Sequence, residues 1–334
     1  MTARTFTVRR ALDRTRLDIF LTAELAPEYS RSRIARMIRA GGVLVNDAPA
    51  GDPAHPLRPG DRVEVAIAPT IEPVPFAAAG PEIPAVTILY ADEEVIVVDK
   101  PAGMVVHVAP GSPGPTLVDA LLKQFPELAA MAEPDGVMRP GIVHRLDKET
   151  SGVMVVARTP YARMSLSRQF KDRSVRKFYL AAVWGNVARD DFIVSRPLGR
   201  HPTERKRMST HSRSPREALT RFSVLRRFMP AGEGRIASTL LCAMPATGRT
   251  HQIRVHLASV GHPCLGDPLY GHKAEPEPGP FRRQALHALA LEFAHPRTAA
   301  RRRVIAPLPA DFVAYLADRD TPPQLIEDFL VHID

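Results

Sequence analysis

Leu17, Phe20 and Leu21 recur at helical spacing near the start of the chain, and Ile34, Met37 and Ile38 do so again after Ser30, a residue suited to cap a helix start. Two short amphipathic helices are predicted there. The face of the second helix opposite its apolar positions carries Arg33, Arg36 and Arg39. Past Gly41-Gly42 the period shortens: Val43-Leu44-Val45 runs into a turn at Asn46-Asp47, and Gly60-Asp61 precedes a strand at Val63-Glu64-Val65. Two helices and a small hairpin make a compact module.

Residues 69–84 (PTIEPVPFAAAGPEIP) have no apolar period and little charge, the composition of a linker. Beyond it, Ile88-Leu89-Tyr90 and Val95-Ile96-Val97-Val98-Asp99 read as paired strands about the turn Asp92-Glu93-Glu94. Residues 116–122 and 161–170 carry helical patterns, whereas 178–184, 219–225 and 236–243 read as strands, without βαβ regularity. The predicted architecture is therefore α+β, with a mostly antiparallel central sheet, flanking helices and a small N-terminal domain. Its expected divisions are residues 1–68, a Pro-rich linker at 69–85, a large domain at 86–320 and a C-terminal tail at 321–334. Residues 200–216 (RHPTERKRMSTHSRSPR), basic and poor in large apolar side chains, are expected to form an exposed loop.

Composition narrows the function. With 45% hydrophobic and 24% charged residues among 334, the chain is ordinary globular material and long enough for one large core and a small second domain. Lys and Arg number 45 against 36 Asp and Glu, a net charge of +9 with a pI near 9.9, which favours a polyanionic partner, nucleic acid foremost. The two cysteines, Cys242 and Cys264, support neither a disulfide framework nor a Cys-based zinc site and suit a reducing cytoplasm. The N-terminus is too charged for a signal peptide, and no apolar run approaches the roughly 20 residues needed to cross a bilayer.

The clearest chemical signal is HRLDKETSG at 144–152, a charged run between the apolar stretches 141–143 and 153–157. A carboxylate flanked by Arg145 and Lys148 at the edge of buried segments would stay ionised while water is largely excluded, which makes Asp147 a candidate nucleophile. An ordinary surface ion pair would give the same local pattern, so other segments must decide. His144, His251, His256 and His262 do not have metal-ligand spacing: His251 and His256 are five apart and no acidic cluster accompanies them. The similarity of HRLD to a kinase catalytic loop fails on the extra Leu between Arg and Asp and on the missing Asn, D-F-G and phosphate-binding glycine loop.

Residues 14–67 resemble the S4 RNA-binding domain through RLD at 16–18, SRSRIARMI at 30–38, GGVLVN at 41–46 and GD at 60–61. Asp47 departs from the Gly usual after that Asn, and a positive φ costs Asp more than Gly. Within this module the Arg33, Arg36 and Arg39 face reads as an RNA contact instead of a merely solvated surface. Three later segments, HRLDKETSG at 144–152, KFYLAAVWG at 177–185 and PATGRTHQIRVHLASVGHPCLGDPLYG at 245–271, resemble the RluA-type pseudouridine synthase family. DKPAGMVVH at 99–107, GRHPTERKRM at 199–208 and ALHALALEFAHP at 285–296 extend the likeness over nearly all of 86–310.

The resemblance implies Asp147 as the catalytic carboxylate, Tyr179 as the aromatic against the target base and Arg254 as the salt-bridge partner of Asp147, with Arg145 on backbone phosphate. Arg249 is the rival to Arg254, since GRTHQIR offers both at loop-to-strand spacing. It also implies isomerisation of uridine in structured RNA, without cofactor or metal, by a cytoplasmic monomer. The PGIVHRLDKETSG and MVVHVAPGS stretches look most like the branch that modifies large-subunit ribosomal RNA, free or in a ribosomal particle. A single carboxylate suits an isomerase, because hydrolases typically add a second to activate water, and Glu149 is the one acid close by in sequence. Whether Asp147 attacks C1′ or removes a sugar proton stays open at this level. So do a tRNA-directed synthase, a non-catalytic RNA-binding or ribosome-assembly protein on the same fold, and a glycosylase that lets water finish the reaction.

Overall fold

The sequence fills a computed structural model that describes residues 2–9, 13–25, 29, 31–39, 41–67, 83–107, 115–131, 139–204, 206–229, 237–271 and 280–333. It divides into two compact units, one based on the first 77 residues and one on the chain from residue 78. Most of the expected linker, residues 69–82, lies outside the described residues, as does Ser30. None of the described helices is long and apolar enough to cross a membrane.

The first unit contains β1 (Thr2–Thr7), α1 (Leu17–Glu24), α2 (Arg31–Arg39), β2 (Val43–Val45), β3 (Ala48–Pro49) and β4 (Arg62–Ile67), with an antiparallel sheet in the order β1-β4-β2-β3. The apolar periods read from the sequence do face inward: Leu17, Phe20, Leu21, Ile34 and Ile38 are buried with Val43, Val63 and Val65, and Met37 packs against them. Each such side chain contributes roughly 1.5–3 kcal/mol relative to exposure. The sequence reading missed β1, whose polar alternation gives little signal, although it pairs with β4 along six residues. Arg39 is exposed, and the side chains of Arg33 and Arg36 lie outside the described residues.

Two devices hold this unit. Asn46 and Asp47 both adopt positive φ, 50° and 64°, as a two-residue hairpin turn requires. The turn closes without glycine because Asn46 donates to Asp61 at 2.8 Å and accepts from the Arg62 amide at 2.9 Å, while Asp47 pairs with the Arg62 side chain. The RLD sequence braces a different place. Buried Asp18 accepts from Arg16 at 3.0 Å and from Arg31 at 2.9 Å, tying the start of α1 to α2. Burial acts to raise the Asp18 pKa, but the two guanidinium partners outweigh it and hold the carboxyl below its usual 3.8.

The second unit adds β5 (Thr87–Ala91), β6 (Val95–Lys100), α3 (Leu117–Gln124), β7 (Ser151–Ala157), α4 (Pro160–Lys171), β8 (Arg176–Trp184), β9 (Asp191–Ser195), β10 (Gly199–Arg200), β11 (Met208–Ser209), β12 (Leu219–Phe228), β13 (Ser238–Pro245), α5 (Gln252–Ser259), β14 (Leu286–Ala294), β15 (Arg301–Ile305), α6 (Ala310–Ala317) and α7 (Gln324–His332). Nine strands form one sheet, β5-β6-β7-β14-β8-β13-β12-β9, with β15 beside β14. The fold is α+β. Among the described residues only its β7–β14 pair is parallel, and the predicted hairpin of β5 and β6 turns on Asp92, which accepts from the amides of Glu94 and Val95 at 2.9 Å each. Capping explains two helix starts: Thr116 and Asp119 form a capping box on α3, and Thr159 caps α4 ahead of Pro160.

Strand periodicity then decides which side chains meet. On β8, Phe178, Leu180, Ala182 and Trp184 pack toward α6 and α7, whereas Ala181 and Val183, with Tyr179 beside them, pack toward Ile253 and Leu257 of α5. Tyr179 is thus delivered to the α5 side of the sheet. Two expectations need correction. The stretch expected as a C-terminal tail holds α7, whose Ile326 and Leu330 are buried in the core, because its apolar residues fall at helical spacing. The expected exposed loop at 200–216 contains the β10–β11 pair, and Arg207 to Thr210 are half-buried, since Met208 is hydrogen-bonded to Tyr270.

Asp18→Asn is expected to lower the stability of the first unit by about 1–3 kcal/mol, the cost of leaving charged donors without their anion. Since the folded pKa is below 3.8, the stabilisation is present above that pH and is lost as the pH falls through the folded value. Amide hydrogen exchange across α1 and α2 in the full chain checks both the loss in the variant and the acid sensitivity of the wild type.

Candidate active site

The segment that leads into β7 is fixed by its backbone. Leu146 is buried, the Thr150 amide donates to the Asp147 carbonyl at 3.1 Å, and the Lys148 carbonyl accepts from the Gly103 amide and from Lys100 Nζ, each at 3.0 Å. Lys100 is fully buried and also donates to the carbonyls of Pro101 at 2.6 Å and Met104 at 3.0 Å, so the three protons of an ammonium meet three acceptors. Burial pushes its pKa down to about 7 against the opposing charge of Glu149. Arg283 grips the other side, donating to the Glu149 carbonyl at 2.9 Å while paired with Asp311 at 2.8 Å. Gly152, at φ 115°, ends the motif: a Cβ there would strike the Ala288 carbonyl, so only glycine lets β7 lie against β14.

Asp147 stands at the end of this braced loop, one-fifth exposed. Its expected cationic neighbours in sequence are not its partners. Lys148 faces Glu149 at 4.0 Å, and Arg145 is exposed, with no ion pair to Asp147 among the described residues. The partner comes from α5: Arg254 Nη1 lies 3.2 Å from Asp147 Oδ2. That stretch, read from the sequence as loop leading to strand, is a helix entered through His251 in a left-handed conformation at φ 55°. Arg249, the rival, donates instead to the Glu217 carbonyl at 3.1 Å.

Arg254 is itself held from behind. Its Nε and Nη2 meet the two oxygens of Asp267 at 2.7 and 2.8 Å, a bidentate pair in which Asp267 is fully buried. Asp267 also accepts from the amides of Leu269 and Tyr270. Burial alone would lower the Arg254 pKa, but the Asp267 contact outweighs it and drives the pKa upward, so the guanidinium is permanently charged. One cation therefore lies between a locked carboxylate and an accessible one.

Both Asp147 and Arg254 line a cavity of about 500 Å³, with Tyr179, Lys177, Arg249 and His251 also in its wall, a size typical of small-molecule sites. Desolvation, with the Asp147 charge adding to it, pushes the Tyr179 phenol upward, so it stays protonated. Desolvation lowers Lys177 to about 8 and His144 to about 3. His144 is structural: stacked on Phe170 at 4.6 Å, it accepts from the Val155 amide at 3.1 Å. His251 Nε2 comes within 3.9 Å of Asp147 Oδ1. Among the described residues no three His, Cys, Asp or Glu side chains gather as metal ligands would.

The structure thus unites Asp147, Tyr179 and Arg254 in one cavity with Arg145 on its rim, whereas Arg39 belongs to the separate first unit. The sequence reading had no role for Lys100, Arg283 or Asp267. Lys100 and Asp267 lie inside quoted motifs, DKPAG and GDPLYG, and a charged residue ending the apolar run at 95–98 was the one available hint.

The chain that builds this site is similar to known proteins. The sequence profile of RNA pseudouridylate synthase matches residues 94–259, and that of the S4 domain matches residues 15–63. The chain belongs to the RNA pseudouridylate synthase family and carries an S4 domain at its N-terminal side. It is 44% identical over 305 residues to ribosomal large subunit pseudouridine synthase D of Xylella fastidiosa, a match covering 88% of this chain and 86% of that one. It is 45% identical over 263 residues to an uncharacterized RNA pseudouridine synthase of Aquifex aeolicus, covering 79% of each. Among solved structures, human RNA Pseudouridylate Synthase Domain Containing 1 aligns with a TM-score of 0.55 at 30% identity, covering 69% of this chain and 86% of that chain.

Replacing Arg254 by Lys keeps the charge but loses the fork that spans Asp147 and Asp267. The expected result is a fall in turnover of about two orders of magnitude, the cost of misplacing a reacting group by an ångström. Single-turnover kinetics on RNA measures it, with circular dichroism confirming the fold.

Proposed function

We propose that this protein converts specific uridines of large-subunit ribosomal RNA to pseudouridine, with Asp147 as the catalytic carboxylate. The observation that carries this reading is the Asp147–Arg254 pair, set at 3.2 Å in a cavity walled by Tyr179. In the reaction the N1–C1′ bond breaks, uracil turns while bound, C5 joins C1′, the C5 proton leaves and N1 gains one, so no water is consumed. Asp147 serves the electron-poor sugar as N1 departs. Arg254 holds one oxygen of that carboxylate, and the neutral Tyr179 ring stacks on a base taken out of its helix.

Isomerisation is favoured over hydrolysis by the disposition of acids. Hydrolases pair their carboxylate with another that activates water. Here Asp267 is fully buried with both oxygens engaged by Arg254, and Glu149 faces Lys148. The rRNA assignment draws on the relatives named for the large ribosomal subunit and on the S4 domain, whose Arg33, Arg36 and Arg39 would bind backbone phosphate, as would Arg145. The protein would act as a monomer in the cytoplasm, on free RNA or on a ribosomal particle.

Asp147→Asn is expected to abolish pseudouridine formation and to spare RNA binding, read by site-resolved pseudouridine mapping of rRNA and tRNA from a deletion strain complemented with either form. Modified tRNA with unmodified rRNA would redirect the substrate assignment, and release of free uracil would replace isomerase by glycosylase. Persistent activity in the variant would remove Asp147 from its role.

Neutralising Arg33, Arg36 and Arg39 together is expected to weaken RNA binding and to flatten log K against log salt by about 0.7–0.9 for each phosphate that is no longer neutralised. Binding isotherms over a salt series measure the slope, and an unchanged slope would reject these residues as the RNA face.

A further inference from the structure

Asp147 has two oxygens, and Arg254 reaches one of them: Nη1 lies 3.2 Å from Oδ2. A carboxylate held at a single oxygen can still rotate about its Cβ–Cγ bond. Facing the other oxygen is His251, whose Nε2 is 3.9 Å from Oδ1, about an ångström beyond a hydrogen bond. We propose that His251 is a positioning residue that donates Nε2–H to this second oxygen when RNA is bound, in a tautomer fixed by Tyr270 and the Met208 backbone. The proposal rests on the reading that Asp147 is the catalytic carboxylate.

The tautomer follows from a hydrogen-bond chain. The Met208 amide donates to Tyr270 Oη at 2.8 Å, and Oη lies 2.8 Å from His251 Nδ1. In the proposed arrangement that amide occupies one lone pair of the phenol oxygen and the phenol donates its proton to Nδ1. A neutral imidazole accepting at Nδ1 carries its proton on Nε2, which faces Asp147. The groups around the ring are Asp147, Arg254, Asp267 and Arg145, and burial keeps the imidazole neutral against the attraction of Asp147. The Tyr270 ring is confined as well, with Arg254 and Arg207 stacked over it at 5.1 and 5.3 Å.

The chain begins in the basic segment 200–216 and ends at the reacting carboxylate. Seating of that segment on RNA would therefore set the phenol, the phenol the imidazole, and the imidazole the free oxygen of Asp147. The remaining ångström is a gap of the kind that closes in a substrate complex.

Because φ at position 251 is 55°, glycine suits the helix entry and His251→Gly removes the ring without straining the backbone. The variant is expected to lose ten- to a hundred-fold in kcat with KM for RNA unchanged, and imidazole in the buffer is expected to restore part of the loss. Tyr270→Phe should lower kcat several-fold, again without a change in KM. Unaltered kcat in His251→Gly would overturn the proposal, and so would a loss that imidazole does not relieve in a variant with an unchanged melting temperature. Nitrogen-15 NMR of the imidazole decides independently of turnover. The expected result is an Nε2–H tautomer whose resonance moves in Asp147→Asn, and an Nδ1–H tautomer would overturn the assignment. Absence of pseudouridine formation by the wild type would instead defeat the reading of function, with the NMR result still deciding the hydrogen-bond chain.

Discussion

The site depends on one guanidinium between two carboxylates. Arg254 is almost wholly buried, which would be prohibitive for a lone charge, and Asp267 makes it tolerable by occupying two of its N–H groups from the interior side. What is left of the fork faces the cavity and meets Asp147. The division of labour between the acids follows from access alone. Asp267 is sealed and balances charge, whereas Asp147 is exposed enough to touch a substrate. Exchanging their environments would exchange their roles.

Around that pair the backbone does much of the positioning. Lys100 and Arg283, both buried, bind the main-chain carbonyls of Lys148 and Glu149, the two residues that follow Asp147, instead of the carboxylate itself. Carbonyl acceptors restrain the path of a loop without neutralising the side chain it presents. Gly152 complements them from the strand side by allowing β7 to approach Ala288 so closely that no side chain fits.

Much of this was legible in the sequence wherever periodicity ran for five residues or more. The hairpin of β5 and β6, helix α4 and strands β8, β12 and β13 all follow apolar patterns that tertiary packing had no reason to override. The short or polar elements were not legible: β1 (TARTFT) has Phe6 as its one large apolar residue, and α5 begins at a left-handed histidine that breaks any helical start signal. The partner of Asp147 illustrates the limit best. Arg145 and Lys148 are two and one positions away, yet extended and turning backbone throws such neighbours to other directions, and the true partner lies 107 residues on. Resemblance supplied Arg254 where proximity along the chain pointed elsewhere. Neither route could show that Asp267 stands behind it, because bidentate pairing is a property of two surfaces meeting.

The placement of β14 in the middle of the sheet has a temporal consequence. Its first residues pair with β7, residues 286–292 with β8 and its last residues with β15, so it joins the strand that follows Asp147 to the strand that bears Tyr179. Yet it is made from residues 286–294, after every catalytic candidate has been synthesised. A nascent chain can hold Asp147, Tyr179 and Arg254 and still have no cavity, because the seam between the two halves of the sheet is open until this late strand inserts. Activity is thereby withheld until residues 286–294 are in place.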